Sequence, residues 1–158
     1  MEAVKVTKLS ELDKIIPMIQ KLHKDSGIDK FISLTGFLAY ISLKLPFASF
    51  NVWKAREGER IVGYAIAEIT QRYFENECMI VDAYMESPDE ELSGFMFNFI
   101  QDWAVSNGCT ILSCHSHRAE ALRRKYGFDS YGTVLMKRIG EKNNGGRKTD
   151  DDGDTEQS

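Results

Sequence analysis

The chain has 158 residues, 42% hydrophobic and 11% aromatic, which is enough to build one globular domain and excludes a wholly disordered protein. No apolar run approaches the roughly 18 residues of a membrane span, and the N-terminal residues lack the pattern of a secretory signal. A net charge of −4 disfavours nucleic acid as a partner. Three cysteines without metal-ligand spacing favour a reducing compartment, so we expect a soluble, cytoplasmic protein with no membrane contact.

Hydrophobic periodicity and turn residues divide the chain into strands and helices. Ser10 followed by Asp13 approximates a capping box for the first helix, and Pro17 is expected to kink that helix. Pro46 ends the second helix. In chain order, the predicted elements are a strand at 3–8, helices at 12–22 and 34–45, strands that begin at 50 and span 61–69 and 78–85, a helix at 92–103, a strand at 110–114, a helix at 117–125 and a strand at 130–139.

The strands in the middle of the chain are predicted to be antiparallel, with a turn at 56–59 and a polar turn after Ile69. In the strand at 61–69, large and small side chains alternate between the two faces, as in a central strand covered on both sides. The large ones are Val62, Tyr64 and Ile66, and the small ones are Gly63, Ala65 and Ala67. The sequence therefore predicts an α/β (α+β) fold with a mixed, mostly antiparallel twisted sheet flanked by helices.

The composition changes after Gly140. Residues 141–158 contain six acidic and three basic residues and no large apolar side chain. Such a segment cannot bury enough apolar surface to fold, so we expect a disordered acidic tail. The folded domain is predicted to span residues 1–140.

Residues 116–128 resemble a helix-to-strand motif of the GNAT-type N-acetyltransferases, which usually reads Asn-x-Arg-Ala-x-x-Leu-Tyr-x-x-x-Gly-Phe. The matching residues are Arg118, Ala119, Leu122, Gly127 and Phe128. Ser116 stands in place of the Asn, and Arg123 in place of the Tyr. The order of predicted elements also resembles this family, over residues 1 to about 138.

A second motif of that family is its acetyl-CoA loop, usually Val-x-Pro-x-x-Arg-Gly-x-Gly-x-Gly. In residues 86–96 of this chain, Pro88 and Gly94 keep the spacing. Glu91 stands in place of the Arg, and Leu92 and Met96 replace two glycines.

The resemblance implies an N-acetyltransferase that uses acetyl-CoA as co-substrate, a small-molecule or protein amine as acceptor, and no metal. It places the pantetheine of acetyl-CoA along 84–86 and the pyrophosphate near 93–96, with a further contact at Ser116. The implied binding residues are Tyr84, Met85, Glu86, Ser93, Gly94, Phe95, Met96 and Ser116.

An alternative function remains open, because residues 87–90 are typical of a helix start. Asp89, Glu90 and Glu91 would then satisfy the helix dipole with the protein's own carboxylates instead of a pyrophosphate. The alternative is a non-catalytic GNAT-fold binding or regulatory protein that has lost the pyrophosphate loop.

Acetyl transfer to an amine needs a base for the ammonium group and an acid for the departing thiolate. Asp82 interrupts an apolar strand and is the first candidate for the base, with Glu68 as the second, although a solvated or paired carboxylate is also consistent with the pattern. Tyr126 is the candidate acid, or else packs the corner at Gly127. Arg123 does not serve as an acid, since its guanidinium stays protonated.

The remaining reactive residues have weaker patterns. Cys78, Cys109, Cys114, His115 and His117 lack the spacing of a zinc site, so buried reduced thiols are favoured over metal ligands or a Cys114 nucleophile. The helix from Arg118 to Lys125 carries a basic face. That face is either simply solvated or a docking site for a protein partner, which makes an interaction module a third hypothesis.

The composition of the tail gives a first testable prediction. Deletion of residues 141–158 should leave the thermal midpoint of unfolding nearly unchanged, because these residues have no large apolar side chain to bury. Differential scanning calorimetry of the full and truncated chains measures this. A midpoint lowered by many degrees would contradict the predicted domain boundary.

Overall fold

The computed structural model describes residues 1–72, 74–87, 90–116, 119–130 and 132. Most of the strand predicted at 130–139, and the whole of the predicted tail, lie outside the described residues. No described helix is long and apolar enough to cross a membrane. The elements are β1 (Glu2–Lys5), α1 (Ile16–Ser26), α2 (Leu34–Lys44), β2 (Phe50–Glu57), β3 (Arg60–Arg72), β4 (Glu75–Met85), α3 (Glu90–Ser106), β5 (Ile111–Cys114) and α4 (Ala119–Tyr126), with 3₁₀ turns at Leu9–Lys14 and Ile28–Lys30.

The described strands form one five-stranded sheet in the order β1-β2-β3-β4-β5. The first four strands pair antiparallel, and β5 pairs parallel with β4. The predicted α/β architecture with a mixed, mostly antiparallel sheet is confirmed. The parallel pair requires a crossover connection, which α3 provides between β4 and β5.

Helices cover both faces of the sheet. The residues from Leu12 to Ile41 in α1, α2 and the preceding turn pack on one face against Phe50, Tyr64 and Ile66. On the opposite face, α3 packs against β2–β4. Its buried contact residues are Met96, Ile100 and Ala104, with Phe95, Phe99 and Trp103 partly buried. The spacing of these residues confirms the predicted helical periodicity of α3.

One prediction about the faces of β3 is wrong. Ala55 pairs with Gly63, but the next residue of β2, Arg56, pairs with Ile61. Val62 is therefore the extra residue of a β-bulge and packs on the α3 face, whereas Tyr64 packs on the α1–α2 face. Alternation read from the sequence cannot anticipate such an insertion.

The hairpin between β3 and β4 is longer than predicted. The polar segment expected to be a turn is strand, with Thr70 paired to Glu77 and Arg72 to Glu75. Glu77 is 2% exposed; it accepts a hydrogen bond from Ser113, and its Oε2 lies 2.9 Å from Arg72 Nε. Polar pairs across strands, rather than apolar burial, therefore hold this end of the sheet.

The predicted start of the first helix is also wrong. Ser10 lies inside a 3₁₀ turn whose N-terminus has no side-chain cap, and α1 begins at Ile16. Pro17 lies in the first turn of α1, where its missing N–H leaves no hydrogen bond unmade, so it starts the helix instead of kinking it. Helix α2, by contrast, does have a side-chain cap, since Ser33 Oγ accepts from Gly36 N at 3.0 Å.

Gly63 is held where a side chain would not fit. A Cβ atom at this position would overlap the Tyr84 carbonyl oxygen and the Met85 sulfur of the neighbouring strand. The absence of a side chain therefore allows β4 to approach β3 closely beside the β3 bulge.

We expect Gly63→Ala to destabilise the fold by about 1–3 kcal/mol, because the overlapping atoms include backbone. Thermal unfolding measures this as a midpoint lowered by several degrees. Gly94→Ala is the matched control, since a Cβ there meets no described atom within 4 Å and Ala favours the helix. Equal midpoints for the two variants would contradict the close approach of β4 to β3.

Candidate functional site

The sheet opens between β4 and β5. Their parallel pairing runs from Glu77–Ile111 to Ile80–Cys114, where β5 ends, while β4 continues to Met85. The opposite edge of β4 stays paired with β3 along this stretch. The predicted cofactor-binding residues 84–86 therefore lie where one edge of β4 extends beyond its neighbour.

A second β-bulge lies at the start of this opening. Asp82 pairs with Ile66, but Ile80 pairs with the next residue, Ala67, so Val81 is the extra residue. The bulge turns Asp82 towards α1 and the same face as Tyr64. Asp82, the first candidate for the base, thus lies two residues beyond the last pair that joins β4 to β5.

Two side chains contact the Asp82 carboxylate at the same oxygen. His23 Nε2 of α1 and Tyr64 Oη of β3 each lie 3.0 Å from Oδ2. The other oxygen, Oδ1, has no hydrogen-bond partner among the described residues. The side chain of Asp82 is 10% exposed, and that of His23 is 7% exposed. The carboxylate is therefore nearly enclosed, with one oxygen held and one available.

The phenol of Tyr64 acts as a donor in this cluster. Burial, reinforced by the nearby charge of Asp82, raises the pKa of Tyr64 far above its ordinary value. The hydroxyl therefore stays protonated and donates to the carboxylate throughout the physiological range.

Glu68, the second candidate base, has both oxygens occupied. Tyr40 Oη donates to Oε2 at 2.7 Å, and Lys44 Nζ donates to Oε1 at 2.6 Å. Glu68 is 8% exposed, and burial together with Glu68 raises the pKa of Tyr40. A carboxylate that is ion-paired and hydrogen-bonded at both oxygens is poorly placed to accept a further proton.

Tyr126, the candidate acid, packs α4 against α3. Its ring stacks on Phe97 with centroids 4.1 Å apart, and its hydroxyl donates to Ser93 Oγ at 3.3 Å. No contact among the described residues joins Tyr126 to the Asp82 cluster. The structure thus brings together two predicted site residues, Tyr126 and Ser93, but not the predicted acid and base.

The predicted pyrophosphate region on α3 divides into two faces. Met96 is 4% exposed, and both Met96 and Phe95 pack towards the sheet. At Gly94, a Cβ atom would meet no described atom within 4 Å. Ser116 is exposed after the end of β5. Of the three α3 residues, Gly94 is therefore the one beside open space among the described atoms, whereas Phe95 and Met96 pack inwards.

The cysteines are free thiols, and none is activated. Burial raises the pKa of Cys78 to about 12 and also raises the pKa of Cys114. A protonated thiol is a poor nucleophile, which argues against acyl transfer through Cys114. In the part of the chain that the structure describes, no three His, Cys, Asp or Glu side chains cluster as metal ligands.

The basic face of α4 is exposed at Arg123, Arg124 and Lys125. Arg123 NH1 lies 3.6 Å from Glu120 Oε2 one turn earlier. A depression of about 370 Å³ beside the end of α4 is lined by both signs of charge, including Asp129. Arg118, which was predicted to belong to this face, lies outside the described residues.

The residue that sequence reasoning missed is His23. It lies 59 residues from Asp82, so no local spacing connects the two. The available signal was its helical position, because His23 follows the buried Ile19 by one turn on the inner face of α1. A histidine on the inner face of α1 is a candidate for a buried polar contact.

Comparisons with known proteins match this chain to solved structures only. No family model matches the sequence, and no curated protein matches it. A predicted acetyltransferase from Clostridium acetobutylicum, solved with acetyl-CoA, is 18% identical with a TM-score of 0.72, and the match covers 87% of this chain and 96% of that one. An aminoglycoside N-acetyltransferase in complex with CoA is 14% identical with a TM-score of 0.69, covering 87% and 93%.

A third structure is an aminoglycoside acetyltransferase from an uncultured soil metagenomic sample, in complex with sisomicin. It is 13% identical with a TM-score of 0.67, and the match covers 88% of this chain and 96% of that chain. At these identities, the similarity establishes the fold. The chain has the fold of GNAT acetyltransferases, which confirms the structural part of the resemblance seen in the sequence.

Proposed function

We propose that this protein is an N-acetyltransferase that transfers an acetyl group from acetyl-CoA to an amine, with Asp82 as the base. The observation that carries this proposal is the geometry of one carboxylate. Asp82 lies at the opening between β4 and β5, with Oδ2 held by two side chains and Oδ1 without a partner among the described residues. Structural neighbours solved with acetyl-CoA or CoA support the choice of co-substrate.

Two features of the residues around the opening support acetyl-CoA as the co-substrate. Residues 84–86 offer the edge of β4 that extends past β5, and the space at Gly94 allows close approach to the first turns of α3. When bound, acetyl-CoA supplies a thioester whose carbonyl carbon bonds to the amine nitrogen as the C–S bond breaks, and its sulfur leaves with one of the two protons that the ammonium group gives up.

Asp82 accepts the other proton. Its Oδ1 takes a proton from the ammonium group before the nitrogen attacks, and the neutral carboxylic acid later releases that proton to solvent. Because one ammonium proton leaves with the sulfur, this scheme needs no separate acid, which agrees with the absence of described contacts between Tyr126 and Asp82. We assign Tyr126 to packing α4 against α3, and Glu68 to joining β3 with α2.

The charge at the site supports an amine as the acceptor. An ammonium group supplies both the proton that Asp82 accepts and a positive charge that a nearly enclosed carboxylate attracts. Two of the structural neighbours are aminoglycoside acetyltransferases, which supports a small-molecule amine as the first class to test. A protein amine is the second class.

The acetyl-CoA site gives a testable prediction. Wild-type protein should bind acetyl-CoA weakly, and Glu91→Arg should bind it at least several-fold more tightly, since it replaces repulsion of the pyrophosphate with a charge-assisted hydrogen bond. Isothermal titration calorimetry measures both dissociation constants.

Two further variants separate local from general charge effects. Glu91→Gln should give an intermediate affinity, and Asp102→Arg should bind as wild type, because it lies about 16 Å further along α3. The absence of any heat of binding at millimolar acetyl-CoA, in all of these proteins, would contradict the proposed enzymatic function. Measured binding without turnover would instead favour the non-catalytic binding protein.

The role of Asp82 gives a second prediction for this site. Asp82→Asn keeps the shape of the side chain but removes the base, so kcat should fall by about 10²–10⁴-fold while the affinity for acetyl-CoA stays unchanged. The assay follows release of CoA thiol with a panel of aminoglycosides and polyamines. Glu68→Gln is the matched comparison and should affect stability more than kcat. An unchanged rate for Asp82→Asn, with a loss for Glu68→Gln, would reverse the assignment.

A further inference from the structure

We propose that His23 and Tyr64 are positioning residues that hold Oδ2 of Asp82, so that Oδ1 is the one atom of this carboxylate that takes a proton. The inference rests on the proposed function, since it assigns how the base of that reaction is oriented. Three elements contribute: His23 lies in the last turns of α1, Tyr64 in β3 and Asp82 in β4. The carboxylate is therefore fixed relative to both the sheet and its helical cover.

The two donors are themselves held by packing. The His23 ring meets Phe37 edge-on, with centroids 4.7 Å apart and an interplanar angle of 65°. The Tyr64 ring is fully buried and stacks with Tyr84 at 6.4 Å and 25°. With both rings fixed, two bonds to one oxygen set the plane of the carboxylate and leave Oδ1 in a single orientation.

The hydrogen-bond pattern assigns the tautomer of His23. A carboxylate oxygen only accepts, so Nε2 carries the hydrogen that lies between His23 and Asp82. The other ring nitrogen, Nδ1, is buried with no hydrogen-bond partner among the described residues. A hydrogen on Nδ1 would be a buried donor without an acceptor, which is rarer and less stable than an unused lone pair. His23 is therefore a neutral donor.

Few other charged groups face this cluster. Tyr84 lies against Tyr64. On α1, the exposed residues Lys21 and Asp25 lie two positions before and after His23, and Lys21 Nζ is 2.7 Å from Asp25 Oδ2. The hydrogen bond with Asp25 raises the pKa of Lys21, and Tyr84 adds a smaller effect. Among the described residues, no cation forms an ion pair with Asp82 at the site, apart from what His23 would become if protonated.

The same face of the sheet contains a second hydrogen bond between a phenol and a carboxylate, which serves as a comparison. Tyr40 donates to Glu68 as Tyr64 donates to Asp82, so each phenol donates to one carboxylate. Glu68 also has Lys44 as a countercharge, on its other oxygen. Removal of either hydroxyl is the same chemical change, but only removal from Tyr64 should affect the base.

The first experiment measures the carboxylate directly. Carbon-13 NMR of the side-chain carboxyl groups follows the ionisation of Asp82 with pH in the full chain, without any substrate. Tyr64→Phe should move the Asp82 midpoint upwards by about one pH unit, because loss of a donor destabilises the charged form. Tyr40→Phe should leave that midpoint in place. An unmoved midpoint in Tyr64→Phe, or an equal movement in Tyr40→Phe, would overturn the inference.

Two variants of His23 separate orientation from folding. The amide of His23→Gln retains an N–H donor near the position of Nε2, whereas His23→Met has similar bulk and no donor. We expect His23→Gln to keep the Asp82 midpoint near that of wild type and His23→Met to raise it, with nitrogen-15 NMR of wild type showing a hydrogen on Nε2 and none on Nδ1. A protonated Nδ1, or the same midpoint in both variants, would contradict the assignment.

Kinetic measurements test whether the contacts of His23 and Tyr64 with Asp82 affect the reaction. With acetyl-CoA and the acceptor that turns over best among aminoglycosides and polyamines, Tyr64→Phe should lower kcat about tenfold and move the acidic limb of the kcat/KM profile to higher pH. KM for acetyl-CoA should not change. An unmoved limb in an active enzyme would overturn this inference alone. If the NMR midpoint of Asp82 moves as expected but the wild-type protein shows no turnover, the proposed function is overturned. The contacts of His23 and Tyr64 with Asp82 would then have no catalytic role.

Discussion

A single extra residue in β4 determines what the candidate site can be. Cys78 and Ile80 face α3, and regular alternation would place Asp82 on that face too. Because Val81 is inserted opposite the β3 strand, Asp82 instead faces α1, together with Tyr84 two residues later. The bulge thus exchanges an apolar environment beneath α3 for one that contains a histidine and a phenol. Every contact proposed for the base depends on this insertion.

The two carboxylates beneath α1 and α2 differ in how their charge is balanced. Glu68 lies against the ammonium group of Lys44, so its desolvation is offset within the protein. Asp82 has two donors that are neutral in our assignment, and hydrogen bonds alone offset the desolvation of a charge less completely than a countercharge does. The negative charge of Asp82 is therefore balanced less completely than that of Glu68. In the proposed reaction, an ammonium group brought by the acceptor would supply the missing positive charge, which would link the electrostatics of the fold to the proposed substrate class.

The sequence predicted the elements better than the site, and the difference has a physical cause. Helix α3 and the turns at Gly108 and Gly127 follow from local periodicity and positive φ, which neighbouring residues determine. The bulges at Val62 and Val81 arise from pairing between strands, which alternation within one strand does not reveal. His23 was missed for the same reason, since its partner lies in another layer of the fold.

The structure also changes how the differences between this chain and the acetyl-CoA loop motif are interpreted. Compared as a sequence, Glu91, Leu92 and Met96 all interfere with a pyrophosphate. In the fold, however, the Met96 side chain is buried against the sheet, whereas a Cβ at Gly94 would meet no described atom within 4 Å. Leu92 is partly buried as well, and Glu91 is exposed on the first turn of α3. Among the described side chains, the obstacle to an anion is then the exposed charge of Glu91 rather than the bulk of Leu92 or Met96, and charge at a helix N-terminus is screened by salt.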